Sequence, residues 1–469
     1  MKIYKLVLFF GFFLILFSCS EKDDTPTDIE VQSFVWKGLN AYYLWQENIP
    51  DLSDSRFNSD QQLYDYLSNF NDPASLFESL LYQRSSIDKW SLIVDDYNAL
   101  EQTLEGTTQT TGMEFGLNRY KNDPTNVFGH VRYVIPGTDA VVKGITRGMI
   151  FTKVDGVQLT DQNFRNLLFS NASSFTITLA DFNDGNPLEN NTTITLNKST
   201  YTEKPIYIAK TFTKGTKKIG YLMYNAFISN SDSELNQAFA VFKSDMVTDL
   251  IVDLRYNSGG SVNTAVRLGS MITGQFTDEV FAKHLFNSKI TNSLSQEIQI
   301  EKFTDKIGNN IAINSLELDE VYFIISNSSA SASELLINCL TPYIDVKTVG
   351  DTTTGKYVGS VLLYDSPDFQ RESVNPNHTW AMLPIIIESV NKNNENQKQG
   401  ISPNTSLLED YGNLGVLGEE SEPLLAKTID LITTKSRSAK FASPLPYRFE
   451  TIGSSKSNLP THNNMYISR

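Results

Sequence analysis

Residues 326–340 read SNSSASASELLINCL, three serines spaced by single alanines between an apolar run and a segment with the apolar spacing of a helix. The run ahead of it, VYFIIS (321–326), has the composition of a buried strand, and ELLINCL (334–340) that of a helix, so Ser331 falls at a strand-to-helix turn. Ser331-Ala332-Ser333-Glu334 has the Ser-x-x-Glu form of a capping box, with Glu334 at the third helical position. A helix N-terminus also presents unpaired N–H groups and the positive end of the helix dipole. Both would stabilise an oxyanion forming beside a serine nucleophile. The structural and the catalytic reading of the stretch are compatible.

Working outward, strands and helices alternate around it: KIGYLMYNAF (218–227), SELNQAFAVFKSDM (233–246), DLIVDLR (249–255), TAVRLGSMI (264–272), then the opening stretch and VKTVG (346–350). Such alternation predicts parallel βαβ units, whose sites collect at the carboxyl ends of the strands. One further motif sits at such an end. In DLIVDLRYNSGGS (249–261) an apolar strand closes at Leu254, and Arg255, Asn257, Gly259 and Gly260 follow before a helix. The motif lacks the Gly-Lys-Ser/Thr ending of a phosphate loop. Its paired glycines let backbone N–H groups approach a ligand closely, which suits an oxyanion hole.

A serine nucleophile needs a base. The four histidines, at 130, 284, 378 and 462, lie outside both motifs. A histidine triad assembled in space stays open, but Lys356, in VGDTTTGKY (349–357), is the better candidate. To accept a proton near neutrality its pKa must fall by roughly 3 units through burial, at a cost of about 4 kcal/mol.

The rest of the chain divides by texture. Residues 1–19 are a signal segment: Lys2 and Lys5 precede the apolar run LVLFFGFFLILF, and LFSC (16–19) places Cys19 after a small residue, like a bacterial lipobox whose cysteine carries lipid. The expectation is export, with anchoring to a membrane through Cys19 and an outer-membrane location on either the periplasmic side or the cell surface. Residues 20–32 form an acidic tether, and 33–105 read as helical from SFVWKGLNAYYLW (33–45) and DQQLYDYLSNF (60–70). Residues 106–185 form a β-rich module containing TGMEFGLNRY (111–120) and the hairpin signal Asp155-Gly156. Residues 186–437 carry both site motifs, and 438–469 read as a tail with little periodicity. The predicted fold is α+β and multidomain, a helical region and a β module followed by an α/β domain.

Lys and Arg number 39 against 54 Asp and Glu, a formal charge of -15. Removing residues 1–18 takes two lysines and no acid, giving -17. No basic stripe offsets it, so nucleic acid is not an expected partner. With Cys19 committed to lipid, Cys339 alone remains, and one mature chain has no disulfide framework. Cys339 lies within an apolar helix and reads as a small buried hydrophobe. No cluster of histidine, cysteine and carboxylate has metal-ligand spacing, and no cofactor is expected.

These motifs together resemble the carboxyl-terminal processing, or tail-specific, peptidases, serine enzymes with a Ser/Lys dyad and a PDZ domain, over residues 33 to about 435. That family's [S/T]-A-S-A-S-E motif carries the nucleophile as its middle serine, here Ser331, and its Gly-Lys follows 25 residues later, here at Lys356. Its D-L-R-x-N-x-G-G motif matches Asp253, Leu254, Arg255, Asn257, Gly259 and Gly260. The resemblance implies a crotonase/ClpP-like catalytic domain and an oxyanion hole from Ala332 with Gly259 or Gly260. Arg255, Asn257, Glu334 and Ser360 would act in support. It implies a protein or peptide substrate, with the β module as a PDZ-like domain receiving a substrate's carboxyl terminus around Gly112, Phe115 and Gly116.

Two positions depart from the family. Ser360 stands where a glutamine orients the lysine in G-K-G-x-x-Q, and Asn404 replaces the aspartate of G-x-x-P-D in GISPN (400–404). The first leaves the lysine's partner unassigned. It is also the one support for an alternative, a peptide-binding lipoprotein that keeps the fold and cleaves little or nothing.

Overall fold

The computed structural model describes residues 29–293, 299–434 and 447–467. The signal segment, Cys19 and most of the tether lie outside these residues.

A six-stranded sheet positions the site. Its spatial order is Ile206–Lys214, Lys217–Tyr224, Asp249–Asp253, Glu320–Ile325, Asp345–Gly350 and Thr405–Ser406. The first pair is antiparallel and every later pair parallel. Every residue of Asp249–Asp253 is buried, as expected of a parallel strand covered on both faces. The period-2 alternation then sorts side chains between two cores. Leu250, Val252, Val321 and Phe323 face a cluster built with the helices Asp232–Ser244, Val262–Thr273 and Ala332–Leu340. Ile251, Tyr322, Ile324 and Val349 face another containing Leu424, Leu425 and Ile429 of the helix Pro423–Thr434. Because Asp249–Asp253 and Glu320–Ile325 are adjacent and parallel, the two site motifs leave the sheet side by side at the same edge.

A second six-stranded sheet runs Gly260–Ser261, Met465–Tyr466, Val358–Ser360, Ile385–Val390, Val280–Leu285 and Ile300–Lys302. The βαβ pattern did not predict it, since its strands are short and come from distant parts of the chain. The N-terminal helices pack on it: Phe34, Leu39, Tyr43, Leu76 and Phe77 share one core with Ile386 and Ile387. Three of these helices begin at side-chain caps, Ser59, Asp72 and Asp96, each accepting from the first turn.

The β module is a seven-stranded sheet with its own core, centred on Leu117, Val131, Phe151 and Ile177. Two features differ from the sequence-based boundaries. The strand Leu188–Asn197 pairs with Ser174–Asp181, so the sheet continues past residue 185. The threonine- and asparagine-rich strand is exposed on most of its length, and so carries no apolar signature. The tail, expected to be irregular, contributes two strands: Thr451–Ser454 joins the β-module sheet beside Met113–Tyr120, and Met465–Tyr466 joins the second sheet beside Gly260–Ser261. Short strands completing sheets built elsewhere need little periodicity of their own.

Candidate active site

The three serines of residues 329–333 have different fates. Ser329 Oγ donates to the Leu254 carbonyl at 2.8 Å and Ser333 Oγ to the Asn257 carbonyl at 3.1 Å, stitching the stretch to the neighbouring loop. Ser331 Oγ, also fully buried, has no hydrogen-bond partner among the described residues. Two of the serines are structural, and the middle one is left with a free hydroxyl. Its backbone is held at φ 64°, ψ -117°, a conformation that costs a non-glycine residue on the order of 1–3 kcal/mol and is found where surrounding structure enforces it. The helix Ala332–Leu340 begins immediately after it.

Glu334 enforces that conformation. One carboxylate oxygen, Oε2, accepts from the backbone N–H of Ser331 at 2.8 Å and of Lys356 at 2.9 Å. The other accepts from the Gly355 N–H at 2.6 Å and from the Thr353 hydroxyl. Burial pushes this carboxyl up, while its four donors favour the ionised form. The capping-box arrangement predicted from sequence is present, its Glu334 arm as a full hydrogen bond and its Ser331 arm facing the third helical N–H without closing one, and the Glu334 arm also ties the lysine loop to the serine turn.

Lys356 is 1% exposed, and burial drives its pKa well below the ordinary lysine range against the opposing pull of Asp88 and Glu334. A neutral amine is the form such surroundings favour. Its Nζ donates to Asn464 Oδ1 at 3.1 Å and lies 5.2 Å from the Trp90 ring centroid. Ser360 Oγ reaches the same Asn464 oxygen at 3.4 Å. The acceptor missing at Ser360 is thus supplied from the tail. Sequence reasoning missed Asn464 because it lies 108 residues beyond Lys356 in a segment without periodicity, and missed Trp90 and Asp88 because the helical region read as packing alone. Asp88, fully buried, is fixed by the Tyr43 hydroxyl at 2.7 Å and the Ser91 N–H at 2.9 Å.

On the other side of Ser331, a Cβ on Gly259 would lie 2.5 Å from Ser331 Cβ, and its φ is +111°. Only glycine permits this approach. Asn257 braces the loop: its Oδ1 accepts from the Gly259 N–H at 2.9 Å, its Nδ2 donates to the Tyr224 carbonyl at 2.8 Å, and its own carbonyl accepts from the Ala330 N–H at 3.1 Å. The Gly259 N–H is therefore engaged by Asn257 in this state. Ala332, first residue of the helix, carries one of the first-turn N–H groups without an intrahelical partner. A cavity of about 70 Å³ adjoins Gly259 and Gly260 and is also lined by Glu114, Glu203 and Lys456.

Arg255 is placed as a scaffold residue. Fully buried, it pairs with Asp253 at 2.8 Å and with both Glu422 oxygens at 2.6 and 2.9 Å. Gly112, Phe115 and Gly116 lie in the β module, where the tail strand pairs Ser454 with Gly116 and the Ser455 N–H donates to the Phe115 carbonyl at 2.9 Å. Cys339 is buried in its helix and its thiol is pushed up by burial. Among the described residues no group of three or more His, Cys, Asp or Glu could hold a metal, and no helix is long and apolar enough to cross a membrane.

The "Probable CtpA-like serine protease" of Staphylococcus epidermidis is 29% identical over 141 residues, 29% of this chain and 25% of that protein; the chain therefore matches about a quarter of that relative's length. The carboxyl-terminal-processing protease of a Picosynechococcus species is 20% identical across 72% of this chain and 74% of its own. A Bacteroides fragilis crystal structure described as an S41 protease superposes with a TM-score of 0.65 at 21% identity, covering 86% of this chain and 98% of that one, a likeness of fold. The model of the peptidase S41 N-terminal domain matches residues 30–92 and that of peptidase family S41 residues 218–406. With both site motifs inside the second match, the chain belongs to peptidase family S41.

Proposed function

We propose that the chain is an exported, lipid-anchored serine endopeptidase acting on protein or peptide substrates through Ser331 and Lys356. The observation that carries this reading is the tether between them: a serine with a free, buried hydroxyl at a strained helix N-terminus, bound through one Glu334 oxygen to the backbone of a desolvated lysine. In the cycle, neutral Lys356 takes the Ser331 Oγ proton as Oγ attacks the scissile carbonyl carbon. The tetrahedral oxyanion is received by the Ala332 N–H and by the Gly259 N–H, which must first leave Asn257 Oδ1. Its collapse breaks the C–N bond, and the Lys356 ammonium returns the proton to the departing amine. Water, deprotonated by the again neutral lysine, then hydrolyses the acyl ester and frees Ser331.

The alternative of a non-cleaving peptide-binding lipoprotein drew on Ser360 at the glutamine position. Asn464 Oδ1, an acceptor 3.1 Å from Nζ, favours the cleaving reading over it. Export and the Cys19 anchor belong to this reading on the strength of the N-terminal sequence.

The test is incubation of the chain lacking residues 1–19 with an unfolded protein. Fragments are expected from the parent and none from Ser331→Ala; equal fragmentation by both overturns the reading.

A further inference from the structure

The tail enters the β module as an added strand. Thr451 pairs with Asn118, Gly453 with Leu117 and Ser454 with Gly116. The pairing is extended at its ends by the Arg119 N–H to the Glu450 carbonyl at 3.0 Å and the Ser455 N–H to the Phe115 carbonyl at 2.9 Å. Ile452 packs against the module's core. A Cβ on Gly453 would sit 3.4 Å from Phe164 and 3.7 Å from Leu117, so the segment lies between the strand Met113–Tyr120 and the helix Phe164–Leu168. This is strand addition to a sheet edge, the way an extended peptide is held by main-chain bonds while side chains set specificity.

The end of the groove is not built for a carboxylate. The Gly112 N–H is taken by Thr110 Oγ1 at 2.9 Å and the Met113 N–H by Thr111 Oγ1 at 3.3 Å. Ser455 Oγ accepts from the Phe115 N–H at 3.2 Å and donates to Glu114 Oε2 at 2.7 Å. Lys456 follows with its ammonium on Glu203, 3.0 and 3.2 Å from the two oxygens. Burial opposes the charged form of this lysine, as does nearby Arg132, but Glu203 and Glu114 outweigh them and hold its pKa above the ordinary lysine value. A chain terminus at residue 455 would set its carboxylate against two carboxylates, with the nearby loop donors already used.

We propose that this groove is a binding site for an internal, lysine-bearing extended segment, that its occupant is the chain's own residues 450–456, and that it does not select substrates by a free carboxyl terminus. The proposal stands apart from the peptidase reading, because it concerns what the groove holds whether or not Ser331 cleaves.

The test uses the full chain carrying Ser331→Ala, so that no result depends on activity. Hydrogen exchange in residues 113–120 and 447–458 is expected to accelerate at least tenfold in Lys456→Glu and to return toward the parent when Glu203→Lys is added. Unchanged exchange in Lys456→Glu, or acceleration that Glu203→Lys does not reverse, overturns the charge pairing. Three peptides are then titrated into the Lys456→Glu chain: residues 447–459 amidated, residues 447–455 amidated, and residues 447–455 with a free carboxylate. Affinity should fall in that order, at least tenfold between the first and last. Failure of the first to bind, or binding of the carboxylate form as tight as its amide, overturns the proposal.

Discussion

Ser331 and Lys356 present their backbone N–H groups to a single oxygen of Glu334, at 2.8 and 2.9 Å, although 25 residues separate them. The shared acceptor sets the serine turn and the lysine loop relative to each other before any substrate arrives. Glu334→Gln keeps the shape but replaces an oxygen acceptor with a donor or weakens it, and should lower turnover by about 10²-fold, the scale of a displacement near 1 Å. Steady-state kinetics beside a thermal melt would check this: a large loss of turnover is expected together with a lowered melting temperature, because the amide NH2 leaves two buried donors without an acceptor at a cost of about 1–3 kcal/mol.

The serines should separate by role. Ser331→Ala removes the nucleophile and should abolish cleavage without a measurable loss of stability, since its hydroxyl makes no hydrogen bond. Ser333→Ala deletes one buried hydrogen bond and Ser329→Ala two, the second accepted from the Ser326 N–H, and each bond lost should cost about 0.5–1.5 kcal/mol in denaturant unfolding while chemistry is kept.

The alternating pattern of strands and helices made the central sheet legible, and the Ser-Ala repeat with the Gly-Lys pointed to Ser331 and Lys356 as the candidate pair, because both are local signals. Asn464, Trp90 and the second sheet were not legible. Each is fixed by packing between segments distant in sequence, and a single asparagine in an aperiodic tail carries no pattern that spacing could reveal.

In the proposed mechanism Asn464 positions Lys356, through the 3.1 Å hydrogen bond from Nζ to its Oδ1. Asn464→Ala should lower turnover by about 10²-fold and change the pH profile, because the amine loses its hydrogen-bond acceptor. Ser360→Ala, at the weaker 3.4 Å contact, should have a much smaller effect. Equal effects of the two would contradict the assignment.

Gly259→Ala should inactivate with little effect on Lys356. Its Cβ would collide with Ser331 Cβ at 2.5 Å and require a side chain at φ +111°. Loss of turnover with unaltered pH dependence is the expected result.

Burial of Lys356 has an energetic sign. Its pKa is depressed in the folded state, so below the ordinary lysine pKa the unfolded chain binds the extra proton and folding stability rises with pH toward that value. Lys356→Met removes this penalty. It should be inactive yet at least as stable as the parent at pH 7, with a flatter dependence of stability on pH in urea titrations. Arg255→Ala should do the reverse, leaving Asp253 and Glu422 buried without their cation at a cost of about 3–5 kcal/mol.

The central claim is that Ser331 is activated by a neutral Lys356. Its most direct test is the rate at which a serine-directed phosphonylating probe labels the chain as a function of pH, with the labelled residue located by mass spectrometry. His462, two residues before Asn464 and pushed down to about 4 by burial and nearby cations, is the control base. The account predicts labelling at Ser331, a rate that rises with pH as the lysine deprotonates below its ordinary range, near-complete loss in Lys356→Arg, whose guanidinium stays protonated, and retention of most of the rate in His462→Ala. Labelling that stays at the parent rate in Lys356→Arg, or that vanishes in His462→Ala, would contradict it.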